Sequence, residues 1–419
     1  MPARLAAGLQ SAAGQLAEGN LIETLRTLEM MKNMVSALQA VIAVSFDRQQ
    51  RDDQLRRGVP AEQLGRGVAE QIALARRESP ARGAVFLGIA SVLIAEMPRS
   101  LDAMATGVLT EQRAQILVHE PSCVSPRVRA EVDEAVAGDL GRLSRMGTRR
   151  LADLVRRETY RRDPAAVVAR IGHAESERFV SLRPAPDCMA RLTAVLPVAQ
   201  GVSVLAALPK TADIGRPAGD RRTRAQIMAD ELVVRVTGQS RPDAVPVALH
   251  LIMPVDTLLS QGGAPGRVHG HGPVPAPLAR RLVAAAPSVS SWVRKLYAAP
   301  TGGLVAMESG SRFFPQGLAQ FITLRDQFCR TPYCGAEIRQ IDHVIPSCDG
   351  GPTRVENGQG LCERCNHAKQ APGWNEAVLL KELPDRDDTG LPAAAADEVR
   401  EVLVTTPTGH HYASPTPDP

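Results

Sequence analysis

Four cysteines in two close pairs mark the most informative stretch of the chain. Cys329 and Cys334 are separated by four residues, Cys362 and Cys365 by two, and Pro332, Gly335, Gly350, Gly351 and Gly358 lie between the outermost of them. Two such pairs can wrap a tetrahedral zinc ion, and the interval between them has the usual length for such a site. Ordinary buried thiols would sit within apolar runs, whereas these bracket turn residues. Between the pairs, Gln340 to Ile345 reads as a strand carrying the polar dipeptide Asp342-His343. Asn357 and Leu361 follow a Gly-rich loop, and Asn366 directly follows Cys365. Lys369 lies three residues further on, which puts it on the face of Asn366 if a helix begins at the second cysteine pair. Cys348 has no partner in the pattern and reads as a spare thiol. Alone, an Asp-His dipeptide would be a satisfied strand end; its place between two metal-binding pairs argues for a site.

These residues resemble the HNH, or ββα-metal, nuclease family, in its variant with a four-cysteine zinc and Asn in place of the last His. The resemblance implies that His343 is a general base activating water, that Asp342 and Asn366 ligate a catalytic divalent ion, and that Asn357 orients the His343 ring. His367 is an alternative to Asn366 as the third family residue. Asn366 is preferred because that ligand adjoins the knuckle cysteine, which leaves His367 facing phosphate backbone or solvent. Lys369 would then contact the substrate. The ligand chemistry is consistent: oxygen donors suit Mg2+ or Mn2+, while thiolates take a structural Zn2+. Phosphodiester hydrolysis needs both a deprotonated water and a cation to stabilise charge on the phosphate.

The elements that position these residues belong to a chain of 419 residues, long enough for two or three domains. Hydrophobic residues make up 44% but aromatics only 3%, so Ala, Leu and Val must fill the core, favouring helices packed through small side chains. The net charge of +4 comes from five Lys and forty-four Arg against 45 acidic residues. Residues 321–375 carry six basic and six acidic side chains, so no dense basic patch supports DNA binding there. Seven cysteines, four of them in metal spacing, suit a reducing cytoplasm better than disulfides. No signal peptide is visible at the start, and the apolar stretch 34–46 is interrupted and too short to span a membrane.

Apolar residues Leu25, Leu28, Met31, Val35, Leu38 and Ile42 recur at helical spacing. A core helix is the preferred reading over a partner-binding coiled coil, although a homo-oligomer through these N-terminal helices fits the same pattern. Further helices are expected over 61–77, 82–96, 109–119, 126–138, 148–162 and 164–175, punctuated by Ser79-Pro80, Met97-Pro98 and Asp163-Pro164. A hairpin over 178–182 and 189–196 follows, then helices over 198–208 and 222–237 and a buried strand over 245–253. After Trp374, one helical stretch to about residue 383 precedes a Pro-rich tail, with residues 393–404 a short helix or strand and 407–419 disordered. The expected domains are a helical region 1–175, an α+β continuation 176–310, the nuclease module 315–383 and a flexible tail 384–419. The fold class is mainly α with a small α+β portion: a multi-helix N-terminal domain with a short hairpin, plus the ββα-metal zinc module.

The upstream part also carries a resemblance. Met97-Pro98, Asp187-Cys188-Met189, Asp220-Arg221-Arg222-Thr223, Met228-Ala229-Asp230-Glu231, Asp256-Thr257-Leu258-Leu259, Gly270 to Ala276 and Pro300 to Leu304 occur in the order seen in the 13E12-repeat proteins. In that family a long, mainly helical domain of unknown function precedes a C-terminal HNH module, and the likeness covers residues 20 to 375. The upstream match says nothing about chemistry; the HNH resemblance is what implies a divalent-metal-dependent endonuclease acting on DNA. The alternative is a catalytically silent zinc protein that binds DNA or protein. The Arg-rich stretch 142–162 could track a DNA backbone; because Arg is abundant throughout, a solvated helix face is the preferred reading. His269 and His271 read as part of a Gly-rich turn rather than a metal pair.

Overall fold

A computed structural model describes residues 21–214, 221–239, 251–253, 257–258, 262–268, 271–285, 308–309, 313–382 and 398–414. Residues 1–20, 245–250, His269, 300–304, 384–397 and 415–419, for which the sequence raised expectations, lie outside the described residues. The chain forms two compact units, 1–170 with 306–418, and 171–305. It is mainly helical, with small sheets.

The first unit begins with α1 (Leu21–Arg56), α2 (Val68–Arg76), α3 (Pro80–Glu96), α4 (Pro98–Ala105), α5 (Glu111–His119), α6 (Pro126–Ala137), α7 (Leu140–Ser144) and α8 (Thr148–Arg162). Their starts follow from capping chemistry. Ser79, Thr110, Ser125 and Asp139 each accept a backbone N–H of the first turn, and Pro80 and Pro126 supply the preset φ of the first helical residue. Met97 has no such side chain ahead of α4. Asp133 of α6 takes over, accepting from Arg99 N at 2.7 Å and from Ser100 N and Oγ at 2.9 and 2.5 Å. Burial nevertheless pushes the Asp133 carboxyl above its ordinary range.

Leu93, Met97, Met104, Leu117, Val132 and Leu151 form the centre of one apolar interior between α3 and α8. The spacing of Leu25, Leu28, Met31, Val35, Leu38 and Ile42 predicts that this face of α1 joins that interior, and the structure reverses it: all six are exposed, Leu25 at 62%. The helix turns Ala37, Ala40 and Ala43 inward instead. Small side chains let α1 approach Phe86 and Ala90 of α3 closely, and Asn33 on the same side donates to Gly107 O at 2.9 Å. Periodicity identified an amphipathic helix, but the close-packing face is the one without bulk.

The chain continues as α9 (Pro164–Ser176), whose Ala166 N donates to Asp163 Oδ1 at 2.9 Å. In the second unit β1 (Phe179–Ala185) pairs antiparallel with β2 (Met189–Val195), Phe179 opposite Val195. α10 (Val198–Ile214) and α11 (Arg224–Thr237) follow, the latter opened by a Thr223–Gln226 capping box. β3 (Leu251–Ile252), β4 (Gly266–Val268) and β5 (Gly272–Val274) form a small antiparallel sheet whose Val268 and Val274 pack on Ala279 of α12 (Ala276–Ala285).

The first unit is completed by β6 (Glu308–Ser309), α13 (Gln316–Asp326), β7 (Gln340–His343), β8 (Thr353–Arg354), β9 (Gly358–Leu361), α14 (Glu363–Lys369), β10 (Asn375–Glu382), β11 (Glu398–Thr405) and β12 (His411–Ser414). Residues 375–382 are therefore a strand, not the helix expected after Trp374. Part of the expected flexible tail is strand as well: β10, β11 and β12 form an antiparallel sheet. The cause is non-local, since Val402 and Val404 bury against Val344 and Trp374. His411 Nδ1 meets Thr405 Oγ1 at 2.9 Å across the β11–β12 turn.

This module rests on the helices. Arg66 Nε donates to His367 O at 3.0 Å, Arg364 pairs with Glu70 at 3.4 Å, and Thr408 Oγ1 donates to Gln71 at 3.1 Å. Gly67, at φ 80°, leaves room for the Trp374 indole.

Candidate active site and metal centre

The four cysteines converge. Cys329 N donates to Ala336 O at 2.8 Å and Cys334 N to Thr331 O at 3.1 Å, which folds the first pair into a tight loop. Cys362 caps α14, its sulfur accepting from Cys365 N at 3.5 Å. The Cys334 and Cys362 sulfurs lie 3.8 Å apart, those of Cys365 and Cys334 3.6 Å, and all four lie within 4.8 Å of one another. A tetrahedral ion with bonds of about 2.3 Å would separate its sulfurs by roughly 3.8 Å. The donor set therefore fits a metal ion of the zinc type. The Cys365 thiol is pushed up by its three sulfur neighbours and by burial, because four thiolates cannot gather without a cation.

Beside this cluster, β7 and β9 pair antiparallel, with Asp342 opposite Gln359 and His343 opposite Gly358, and α14 packs against β7. Strand alternation sends Asp342 and His343 to opposite faces. His343 is buried, its Nε2 2.9 Å from Thr353 Oγ1 and its ring 4.5 Å from that of Phe314. Its Nδ1 makes no hydrogen bond with a described residue. Burial pushes the imidazole below its usual range, with Lys369 adding to this and Asp342 opposing it. A neutral ring of this kind can accept a proton.

Asn357, expected to orient the imidazole directly, instead holds the backbone on either side of it. Its Oδ1 accepts from Ile345 N at 2.8 Å, and its Nδ2 donates to Ile345 O and Pro352 O at 3.0 and 2.9 Å. A β-carbon at Gly351 would collide with Ile345 O and lie 2.8 Å from Asn357 Nδ2, so this loop requires Gly there. The ring's own partner is Thr353, which sequence reasoning missed; its signal was a hydroxyl two residues beyond Gly351 in the same turn. α13 supports the arrangement from below. Arg325 donates to Val355 O and Gly358 O, each at 2.8 Å, and the fully buried Asp326 carboxylate accepts from Gly360 N at 2.7 Å.

On the other face, Asn366 donates to Gln340, and its Oδ1 is buried without a partner. An orphaned oxygen beside a carboxylate strand is what an oxygen-seeking cation would use. His367 is exposed. Lys369 was expected to reach the substrate, but its side chain is 9% exposed and its ammonium lies 3.0 Å from Asp342 and 3.1 Å from Glu376. It also donates to His343 O. The reason is Glu376, a buried carboxylate whose pKa burial raises and Lys369 opposes; such a group needs a cation beside it. Gln359 donates to the same carboxylate. Thus Asp342, Asn366 and Lys369 share one face of β7, while His343 and Thr353 share the other. No described hydrogen bond joins the imidazole to Asp342, Asn357 or Asn366.

A family model described as "Domain of unknown function (DUF222)" matches residues 25–326, and one described as "HNH endonuclease" matches residues 329–371. The second match begins at Cys329 and encloses the four-cysteine cluster, both faces of β7, and α14. Nothing among curated proteins or solved structures matches the chain.

Proposed function

The chain belongs to the DUF222 family and carries an HNH endonuclease module after that domain, and from this we propose that it is a metal-dependent endonuclease hydrolysing DNA phosphodiester bonds. His343 is the general base. Thr353 holds Nε2, so Nδ1 is left to take the proton of an attacking water, and burial keeps the ring neutral for that task. A buried imidazole held by Thr353, next in the chain to Asp342 and inside the segment that the HNH endonuclease model matches, is the observation that carries the reading. Asp342 and Asn366 would hold Mg2+ or Mn2+, which supplies neutralisation of charge on the phosphate and leaving oxygen. Substrate would bridge the two faces at the open end of β7. Asn357 acts by fixing the loop that sets this end, and the four cysteines hold a structural Zn2+.

Among the described residues no single helix is long and apolar enough to cross a membrane. One bent pair, 61–76 with Pro80–Glu96, passes on length and composition, but its Val68, Ile72, Phe86 and Ala90 are buried in the helical interior. Reduced thiols suit a cytoplasmic setting. The same proposal includes a second copy of the chain paired along α1. Leu21, Leu28, Val35 and Ile42 recur every seven residues with Met31 and Leu38 between them, all exposed, which is the self-matching pattern of a two-helix seam.

Nicking of supercoiled plasmid in Mg2+ or Mn2+ tests the chemistry. His343→Ala should lower the rate by about 10²-fold or more, with zinc content and melting unchanged; undiminished cleavage by that variant sinks the assignment. One observation favours a silent binding module instead: Lys369 already sits on the carboxylate that would ligate the ion. Tight DNA binding by the wild-type protein with no cutting in either metal would decide for it.

A further inference from the structure

A cleft of about 1160 Å³ opens between α7 and α8 in the first unit, lined by Arg142, Arg145, Arg150, Arg156, Arg157 and Tyr160, with Asp139 and Asp153 also at its wall. We propose that this cleft grips the phosphate backbone of double-stranded DNA, as the main electrostatic contact of the protein with its substrate. The proposal rests on the nuclease reading above.

Charge is the first argument. Arg156 is held by Glu120 at 2.7 Å and by Asp153 at 3.5 Å, and Arg161 and Arg162 pair with Glu158. Arg145, Arg150 and Arg157 are exposed and form no ion pair with a described residue. A concave wall with uncompensated guanidinium groups attracts a polyanion, and the fork geometry of Arg suits phosphate oxygens. Rigidity is the second. Leu151 and Val155 anchor the other side of α8 in the helical interior, with Leu154 buried at the cleft's floor, so Arg150 and Arg157 project from a fixed rail. Arg150 and Arg157 are two turns apart, about 10 Å along the axis, close to three steps of a DNA strand. Tyr160, half-exposed between them and the end of the helix, adds a hydroxyl donor.

The third argument is need. The segment 321–375 has equal numbers of basic and acidic side chains, and Lys369 is committed to Asp342 and Glu376. The module that would cut carries no net positive charge over this segment to draw in phosphate. The cleft belongs to the same compact unit.

The test uses the full chain, without divalent ion, and a fluorescent duplex whose anisotropy is followed against salt. The triple variant Arg145→Ala, Arg150→Ala, Arg157→Ala should bind at least tenfold more weakly, and the slope of log affinity on log salt should become shallower by about two to three. Arg157→Glu alone should weaken binding in the same direction, while Arg127→Ala on α6 should leave affinity and slope unchanged. Unchanged slope in the triple variant overturns the proposal, as does equal loss in Arg127→Ala, or displacement of DNA by polyglutamate at matched charge, which would mark an acidic-protein site. Weakened binding in the triple variant with no cleavage by wild-type protein would keep the cleft and sink the nuclease reading. Cleavage by wild-type protein with unaltered binding in the triple variant would do the reverse.

Discussion

In the helical region Leu93, Met97, Leu117, Val132 and Leu151 share one continuous apolar interior. In the nuclease-type module the buried apolar residues are split among three small groups, centred on Ile322, Leu361 and Val344. What joins those groups is polar or sulfur: the cysteine cluster, the Arg325–Asp326 pair on β9, and Lys369 between Asp342 and Glu376. The helices are held by area removed from water, which any apolar residue of fitting shape supplies. The module is held by directional links, each needing a specific partner. That suits a site whose side chains must stay accessible to substrate and cannot all be wrapped in a core.

The sharpest way to break this contrast is to remove the zinc ion proposed for the cysteine cluster. A strong chelator, or Cys365→Ser, should abolish the zinc content and unfold residues 328–374 while the helices keep their circular dichroism. Simultaneous loss of helix signal would show that the two regions fold as one. In the opposite direction, Leu117→Ala should cost the helical transition about 2–5 kcal/mol by chemical denaturation, and zinc stoichiometry should not change. The smallest effect is expected at Glu376→Gln. Burial raises the folded pKa of Glu376 above its unfolded value, so the folded state binds the extra proton between the two. Its contribution to stability is then greatest below the ordinary carboxylate range and falls as pH rises through the raised value. The amide variant should show a flatter pH dependence of melting above the carboxylate range, with Lys369 still paired to Asp342. An unchanged slope would mean that Glu376 does not titrate there.

Where a feature depends on neighbours in sequence, it could be read from the residues: the caps at Ser79-Pro80 and Asp163-Pro164, the hairpin around Asp187, the strand-like Gln340 to Ile345, and the paired cysteines. Where it depends on distant residues, it could not. The outward stripe of α1 follows from the closeness that Ala40 and Ala43 permit with α3, and no periodicity ranks a small face above a bulky one. β10 is a strand because β11 lies beside it, with the fifteen residues between Glu382 and Glu398 outweighed by the burial of Val402 and Val404. Lys369 could be placed on the face of Asn366 from helical spacing, but its burial comes from Glu376, beyond the motif. Thr353 was missed because its hydroxyl reaches His343 only through the shape that Asn357 and Gly351 give their loop.

Val344 follows His343 directly and is covered by Val402 and Val404, while Arg330 beside the first cysteine donates to Ser414 O at 2.9 Å. During translation the cysteines and the Asp-His dipeptide leave the ribosome dozens of residues before the strands that close over them. The helices can settle first, as domains do when synthesised from the N-terminal side. The HNH-type end of the protein is thus finished late, after the helices it rests on are already standing.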